Sequence, residues 1–172
     1  MFTKLLAATA MAATLATAAI AADKPTDPQI AHIAYTAGEI DIAAAKQALM
    51  MSKNAEVRQF AETMERDHAA VNKQALALLQ KLKVRPEDND TSKSLSSDAK
   101  AELTKLSKLH GAAFDKAYVD NEVAYHKQVN GALETLLIPS AQNGELKALL
   151  QTGLKLFKEH QTHAEHLAAM VK

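Results

Sequence analysis

Apolar residues recur along the chain at spacings of three and four, which is the period of an α-helix. The first stripe predicts a helix over residues 28–52, with Asp27 as the N-cap and Pro28 in the first turn. Asn54 predicts the cap of a second helix, whose stripe extends to Leu82. Because only a few residues separate the two helices, we expect them to form an antiparallel pair.

The apolar period stops in the middle of the chain. Between Val84 and Ser97 a concentration of Pro, Asn, Asp and Ser predicts a polar loop. Ser97 then predicts the cap of a short helix that ends near His110. A long connection of this kind is typical of four-helix bundles that carry a crossover.

Two further long stripes follow this connection. One predicts a helix over 112–138 that ends before Pro139, because a residue that precedes proline disfavours the helical conformation. A turn at Asn143 and Gly144 separates it from a last helix over 145–171. The pattern predicts an all-α four-helix bundle with one short additional helix in the crossover connection.

The first 22 residues form a separate segment. Lys4 precedes an uncharged, Ala-rich run from Leu5 to Ile20, and small residues near Ala21 suit signal cleavage. About 17 apolar residues are few for a membrane anchor, so we expect a cleaved signal peptide over 1–22. The bundle domain then covers 23–172, without an integral membrane span, in an exported compartment that is most simply the bacterial periplasm.

Composition and charge exclude several classes of fold, covalent site and binding partner. The 172 residues include no Cys and only 4% aromatic residues, which disfavours a β-sandwich and excludes disulfides, a Cys-ligated metal and a lipid anchor on Cys. Removal of Lys4 leaves 19 basic against 20 acidic residues, a net charge of −1. We therefore expect no nucleic-acid partner, whereas a protein partner or a second copy of this chain stays open.

Three of the seven histidines replace apolar residues in the predicted core stripes, at His68, His126 and His160. Together with Glu39, each lies within about two residues of its helix midpoint, which is roughly 3 Å of rise. Helices of similar length lie side by side in a bundle, so four polar groups from four helices should meet in one layer. Three imidazoles and a carboxylate predict a site for a transition metal, namely Zn, Cu, Fe or Mn.

Further polar residues are candidates to support this site. Glu65 precedes His68 by three residues, which is the spacing of carboxylate-bridged di-iron bundles. Glu122 precedes His126 by four residues instead, so a mononuclear, His-rich site is favoured over a di-iron one. The supporting candidates are Glu65, Asp67, Asp115, Tyr118, Glu122, Glu159 and His163.

Several of these residues lie in blocks that resemble a known family. The blocks are Phe60-Ala61-x-x-Met64-x-x-Asp67-His68 and Phe114-Asp115-x-x-Tyr118, followed by His126 and His160. They resemble the bacterial domain-of-unknown-function 4142 family, which implies a ferritin-like, exported bundle. The resemblance also implies Glu39 as the acidic position of the first helix. Leu154-Lys155 stands where the family often has Leu-Pro before its last histidine.

The remaining motifs of known chemistry are absent from the sequence. It contains no Gly-rich phosphate loop, no Gly-x-Ser-x-Gly elbow and no His-Glu-x-x-His pair, and no reaction is indicated. The leading hypothesis is a metal-binding bundle for storage, buffering or stress protection. The alternative is a non-catalytic interaction or envelope-stress protein whose core histidines are structural or sense pH. A small-molecule binder with a cavity inside the bundle is a third hypothesis.

Overall fold

The computed structural model describes residues 24–171, so the expected signal peptide over 1–22 lies outside the described residues. The elements are α1 Asp27–Met51, α2 Ala55–Leu82, α3 Asp90–Leu106, α4 Ala112–Ala132, a π-helical turn Leu133–Leu137, α5 Ile138–Ser140 and α6 Gly144–Met170. The prediction of an all-α domain is confirmed. No helix in this part of the chain has the length and hydrophobicity needed to cross a membrane.

Two helical hairpins build the bundle. The helices α1 and α2 pair with each other, as do α4 and α6, and the hairpins meet where α2 packs on α6 and α1 on α4. The helix α3 packs along α1 and returns the chain from the end of α2 to the start of α4. One long crossover of this kind is the ferritin-like arrangement, so the predicted four-helix bundle with an additional crossover helix is confirmed.

The first helix begins at Asp27, which is not the N-cap that the sequence predicted. Thr26 occupies the cap position, and its backbone N–H donates to Oε1 of Gln29 at 3.1 Å. The Asp27 carboxylate instead accepts backbone N–H bonds from Gln142 and Asn143, each at 2.8 Å. Asp27 therefore ties the start of α1 to the loop before α6.

Asparagine side chains cap two of the long helices. The Oδ1 atom of Asn54 accepts the backbone N–H groups of Glu56 and Val57 at 2.9 and 3.3 Å, which confirms the predicted start of α2. The Oδ1 atom of Asn143 accepts the corresponding N–H groups of Glu145 and Leu146 at the start of α6. Each cap satisfies donors that the first helical turn leaves unpaired.

The crossover helix is longer than predicted, and it begins at Asp90 rather than after Ser97. Asn89 starts it, because its Oδ1 accepts the Ser92 N–H at 3.0 Å while the Ser92 hydroxyl accepts the Asn89 N–H at 3.2 Å. This reciprocal pair is a capping box. The polar residues that predicted a loop therefore form the cap and first turns of a helix that ends at Leu106.

The helix after the crossover does not stop before Pro139, in contrast to the prediction. It passes from α4 through the π-helical turn Leu133–Leu137 into the short turn Ile138–Ser140. A proline has no backbone N–H and its ring crowds the preceding turn of an α-helix. The wider π-helical turn lies directly before it, where it can absorb this mismatch, so the chain stays helical to Ser140.

The core consists of two apolar clusters, one in each half of the bundle. One cluster joins the end of α1, the starts of α2 and α4 and the end of α6, and it includes Phe60, Met64 and Phe114. The other joins the opposite helix ends and includes Ile30 and Leu133. These helix ends make α1 antiparallel to α4. A set of buried polar side chains separates the two clusters.

Gly38 of α1 makes the closest approach to α2. A Cβ atom at this position would lie 2.3 Å from Oδ1 of Asn72, whose buried amide donates to Oε1 of Glu39 at 2.8 Å. We expect Gly38→Ala to lower the free energy of unfolding by about 1–3 kcal/mol, because Asn72 must leave its hydrogen bonds. Urea denaturation of the 23–172 domain measures this change.

Gly131→Ala is the matched control for this substitution. A Cβ atom at Gly131 in α4 meets nothing within 4 Å, so alanine should raise the stability by roughly 0.5–1 kcal/mol through its helix propensity. Equal stabilisation by the two substitutions would show that the contact between Gly38 and Asn72 does not hold α1 against α2.

Candidate metal centre

Five buried ionisable side chains meet halfway along the bundle, and we call them the polar layer. Each is at most 3% exposed. The members of the polar layer are Asp41 of α1, His68 of α2, Glu122 and His126 of α4, and His160 of α6. The four helices supply them because each helix turns one stripe of residues towards the core, and these positions lie in those stripes.

The structure brings the three predicted histidines together. One ring nitrogen from each of His68, His126 and His160 lies within 4.8 Å of the other two. Three points no more than 4.8 Å apart have a centre within about 2.8 Å of each, which approaches the bond of about 2.0–2.1 Å from imidazole to zinc. The three rings therefore need only a small inward shift to share one ion.

The carboxylate beside these rings is Asp41 and not Glu39. The Asp41 Oδ2 atom lies 3.3 Å from Nε2 of His68 and 3.5 Å from Nε2 of His126. Glu39 is exposed, and it accepts a hydrogen bond from Asn72 instead. The helical phase explains the difference, because Asp41 lies four residues from two buried alanines, Ala37 and Ala45.

The hydrogen bonds of two histidines determine which ring nitrogen carries the proton. The Nδ1 atom of His126 lies 3.0 Å from the backbone carbonyl of Glu122, which can only accept. The Nε2 atom of His160 lies 3.0 Å from Oδ2 of Asp67. Each of these nitrogens therefore donates, and the opposite nitrogens, Nε2 of His126 and Nδ1 of His160, keep free lone pairs. Donation of the outer N–H to an oxygen is the usual arrangement of a metal-binding histidine.

His68 is held by packing rather than by hydrogen bonds. Its ring stacks on Phe157 with the ring centroids 4.5 Å apart and the planes 9° apart. Neither of its ring nitrogens has a hydrogen-bond partner within residues 24–171. His68 can therefore present Nε2 towards Asp41 without breaking another interaction.

Many buried atoms of the polar layer, and the neighbouring hydroxyl of Tyr118, lack hydrogen-bond partners among the described residues. An unpaired buried polar atom costs roughly 1–3 kcal/mol, so such atoms are rare in proteins and point to a bound ion or water. The unpartnered atoms are both oxygens of Asp41 and of Glu122, both nitrogens of His68, Nε2 of His126, Nδ1 of His160 and the hydroxyl of Tyr118. The residues present therefore fit a cation that accepts their lone pairs.

Burial shifts the pKa values in the polar layer towards the neutral forms. It raises the pKa of Asp41 from 3.8 to about 8 and lowers that of His126 from 6.5 to about 4. Burial, and then the charge of Asp41, raises the pKa of Glu122, and burial lowers the pKa values of His68 and His160. Without a cation, the polar layer therefore holds neutral acids and neutral imidazoles.

Two of the predicted supporting residues contact the polar layer or belong to it. Glu122 is a member, and its Oε2 lies 3.7 Å from Nδ1 of His126. Asp67 holds His160, and its other carboxylate oxygen accepts from Nε of Arg66 at 2.7 Å. That bond to Arg66, and then the one to His160, outweighs burial and lowers the pKa of Asp67, so it stays an anion and an acceptor.

Four of the five other supporting candidates lie away from the polar layer. Glu65 faces Lys46 on the surface at 3.8 Å, and Glu159 is exposed. His163 is also exposed, and its ring packs on Phe60 instead. Asp115 is buried in the first turn of α4, three helical turns away from His126. These four residues are therefore not placed to contact an ion in the polar layer.

Tyr118 lies one turn before Glu122 on α4, and it is fully buried. Burial, and then the charges of Glu122 and Asp41, raises the pKa of its hydroxyl well above the usual value. Its hydroxyl therefore stays protonated beside the carboxyl groups.

A family model covers most of the chain. The model for the family described as domain of unknown function DUF4142 matches residues 11–167. The chain belongs to the DUF4142 family. The resemblance inferred from the Phe60 and Phe114 blocks is thereby confirmed.

Comparison with solved structures gives the same fold for this DUF4142 chain. The crystal structure of a DUF305 protein from Streptomyces coelicolor, described as secreted, superposes with a TM-score of 0.70. The match covers 83% of this chain and 91% of that chain at 14% sequence identity, so it shows the fold alone. No curated protein matches the DUF4142 chain.

The pKa shifts predict how pH affects the stability of the metal-free DUF4142 domain. Between about pH 4.5 and 6.5, unfolding protonates three histidines and deprotonates two carboxyls, so the unfolded state binds more protons and stability rises with pH. Between about pH 6.5 and 8, the carboxyls are protonated only in the fold, so stability falls as pH rises. We expect the Tm of chelator-treated protein to be highest near pH 6.5.

The double variant Asp41→Asn, Glu122→Gln is the control for this pH profile. It removes both buried acids while keeping their size, so the decline above pH 6.5 should disappear. A Tm of the unaltered chain that rises steadily from pH 6.5 to 8 would contradict the burial of two protonated carboxyls.

Proposed function

We propose that this domain is an exported bundle that binds one divalent transition-metal ion in its polar layer, for storage or buffering. One observation carries the proposal. Ring nitrogens of His68, His126 and His160 converge inside the bundle, with Asp41 beside the first two. Among the described residues, the Nε2 atoms of His68 and His126, Nδ1 of His160 and Oδ2 of Asp41 have no hydrogen-bond partner.

The distances support a four-coordinate ion. Bonds of about 2.0–2.1 Å at a tetrahedral centre place neighbouring ligand atoms roughly 3.3–3.4 Å apart. The Oδ2 atom of Asp41 lies 3.3 and 3.5 Å from the nitrogens of His68 and His126, which matches two edges of that tetrahedron. The Nδ1 atom of His160 would supply the fourth ligand. Tetrahedral nitrogen and oxygen ligands suit Zn²⁺ well.

The charge of the polar layer supports one divalent ion rather than two. Among the described residues, the ion-pair partners of Asp41 and Glu122 are only histidines, without any Lys or Arg. Two ionised carboxylates therefore balance one divalent cation. A second such ion would leave two uncompensated positive charges in a buried site, which is costly. A single-ion site is thus favoured over a di-iron centre.

The number of protein ligands supports binding rather than turnover. Catalytic zinc sites usually have three protein ligands and one water, whereas closed sites with four protein ligands are structural. The polar layer offers four donors to one ion, so a storage or buffering role fits it better than a reaction. When bound, the ion would also satisfy the lone pairs that the metal-free fold leaves unpaired.

The alternative function gives the histidines a structural or pH-sensing role without any metal. The depressed pKa values of His68, His126 and His160 favour it, because protonation of these rings destabilises the bundle as pH falls below 6.5. The unpartnered lone pairs favour the metal, because a purely structural histidine normally has hydrogen-bond partners.

Export of the domain is part of the same proposal. The expected signal peptide over 1–22 supports it, and so does the description of the Streptomyces coelicolor DUF305 protein as secreted. In a bacterium with two membranes the compartment is the periplasm.

Metal stoichiometry tests the proposal directly. Untagged 23–172 protein, loaded with Zn²⁺ and freed of excess ion, should retain about one ion per chain by elemental analysis. His68→Ala with His126→Ala should abolish this retention. His163→Ala with His166→Ala should keep it, because both of these histidines are exposed on α6. Absence of retained Zn, Cu, Fe and Mn after loading would favour the structural role.

A second pair of variants tests the ligand set. Asp41→Asn should weaken Zn²⁺ binding at least about tenfold, because it removes an anionic ligand. Glu39→Gln, two residues earlier on the exposed face of α1, should leave the affinity unchanged. Competition with a chelating dye measures both affinities. Equal losses would mean that the structure assigns the wrong carboxylate to the ion.

A further inference from the structure

A cavity of about 140 Å³ lies beside the polar layer, in the half of the bundle where α1 begins. Its walls come from α3 and all four long helices and are mainly aliphatic, with Ile33, Val71, Val129 and Leu150 among them. The polar residues Asn72, Thr91, Tyr125 and Gln128 also line it. The ring of Phe157, which stacks on His68, forms part of the same wall. This cavity therefore has the surface of a site for an apolar molecule.

The cavity has one strongly polar end. Asp41, His68 and His126 line it there, whereas His160 and Glu122 do not. Both oxygens of Asp41 and both ring nitrogens of His68 are buried without hydrogen-bond partners among the described residues. A molecule in the cavity would thus meet mainly aliphatic side chains along its body and unpartnered hydrogen-bonding atoms at Asp41 and His68.

The volume of the cavity suits a small ring. An engineered protein cavity of about 150 Å³ with Leu, Ile and Phe walls binds benzene. A six-membered ring therefore matches the volume of this cavity.

The lining of the cavity disfavours an ionised ligand. Among the described residues no Lys or Arg lines it, so an anion would be buried there without a cationic partner. A cation would lose its hydration among aliphatic walls. A hydroxyl group avoids both costs, because it can donate to a free lone pair of Asp41 or His68 without carrying charge.

We propose that the cavity binds a compact, uncharged ring molecule with one hydroxyl group, of the size of phenol, whose hydroxyl points towards Asp41 and His68. This inference goes beyond metal binding and applies to the metal-free domain, because an ion held by Asp41 and His68 would take the lone pairs that the hydroxyl uses. It assigns a small-molecule site next to the polar layer.

Calorimetric titration of chelator-treated 23–172 protein tests this proposal without any metal, so its outcome is separate from that of the metal experiments. The probes are phenol, benzene and benzoate. Phenol should bind about three- to tenfold more tightly than benzene, because its hydroxyl gains one buried hydrogen bond. Benzoate should not bind. Equal affinities for phenol and benzene, or binding of benzoate, would overturn the assignment of the polar end.

Two variants test the location of the ligand. Val129→Phe places a ring inside the cavity and should weaken phenol binding at least tenfold, whereas Leu76→Phe, on the exposed face of α2, should not change it. Ala75→Leu is a smaller filler for use if circular dichroism shows that Val129→Phe does not fold. Phenol binding that survives a folded filler variant, or no phenol binding to the unaltered chain, would overturn the proposal.

Discussion

The burial of Asp41 and Glu122, with no Lys or Arg paired to them in the described part of the chain, is the constraint on which the rest of this structure depends. A buried carboxylate must be paired, protonated or bound to a cation. Protonation is the outcome in the metal-free fold, where burial raises the pKa of Asp41 to about 8. Burial lowers the pKa values of the neighbouring His68 and His126, so their imidazoles stay neutral. The polar layer is therefore electrically neutral when empty, and becomes neutral again when one divalent ion displaces the two acidic protons.

The polar layer, which lies between the two apolar clusters, lowers the stability of the fold. Several unpaired buried atoms at roughly 1–3 kcal/mol each are comparable to the whole net stability of a small domain. The two clusters must offset that cost, and the one that contains Phe60, Met64 and Phe114 is the more completely buried of the two. The other cluster surrounds the cavity of about 140 Å³. The division indicates that one half of the bundle stabilises the fold while the other half retains space next to the polar layer.

Much of this arrangement could be predicted from the sequence, and the failures have identifiable physical causes. The cap of α2, the antiparallel pair of α1 and α2, the turn before α6 and the convergence of the three histidines follow from local chemistry and from the similar lengths of the helices. Asn89 was missed because a capping box and a polar loop share the same residue types. Pro139 was misjudged because a π-helical turn can precede a proline. Asp41 was passed over because Ile40, its apolar neighbour, also fits the helical period.

The Asp41 error has a more general lesson for buried sites. When two neighbouring residues both fit the helical period, periodicity alone assigns the apolar one to the core. If the polar residue is the buried one, however, it is the better candidate for a functional residue. Asp41 lies four residues from both Ala37 and Ala45, so its phase is as good as that of Ile40. What favours Asp41 as the buried residue is the set of partners of its carboxyl group, which come from α2 and α4. Because those partners lie far away in sequence, the buried acid can be recognised only once the helices are packed together.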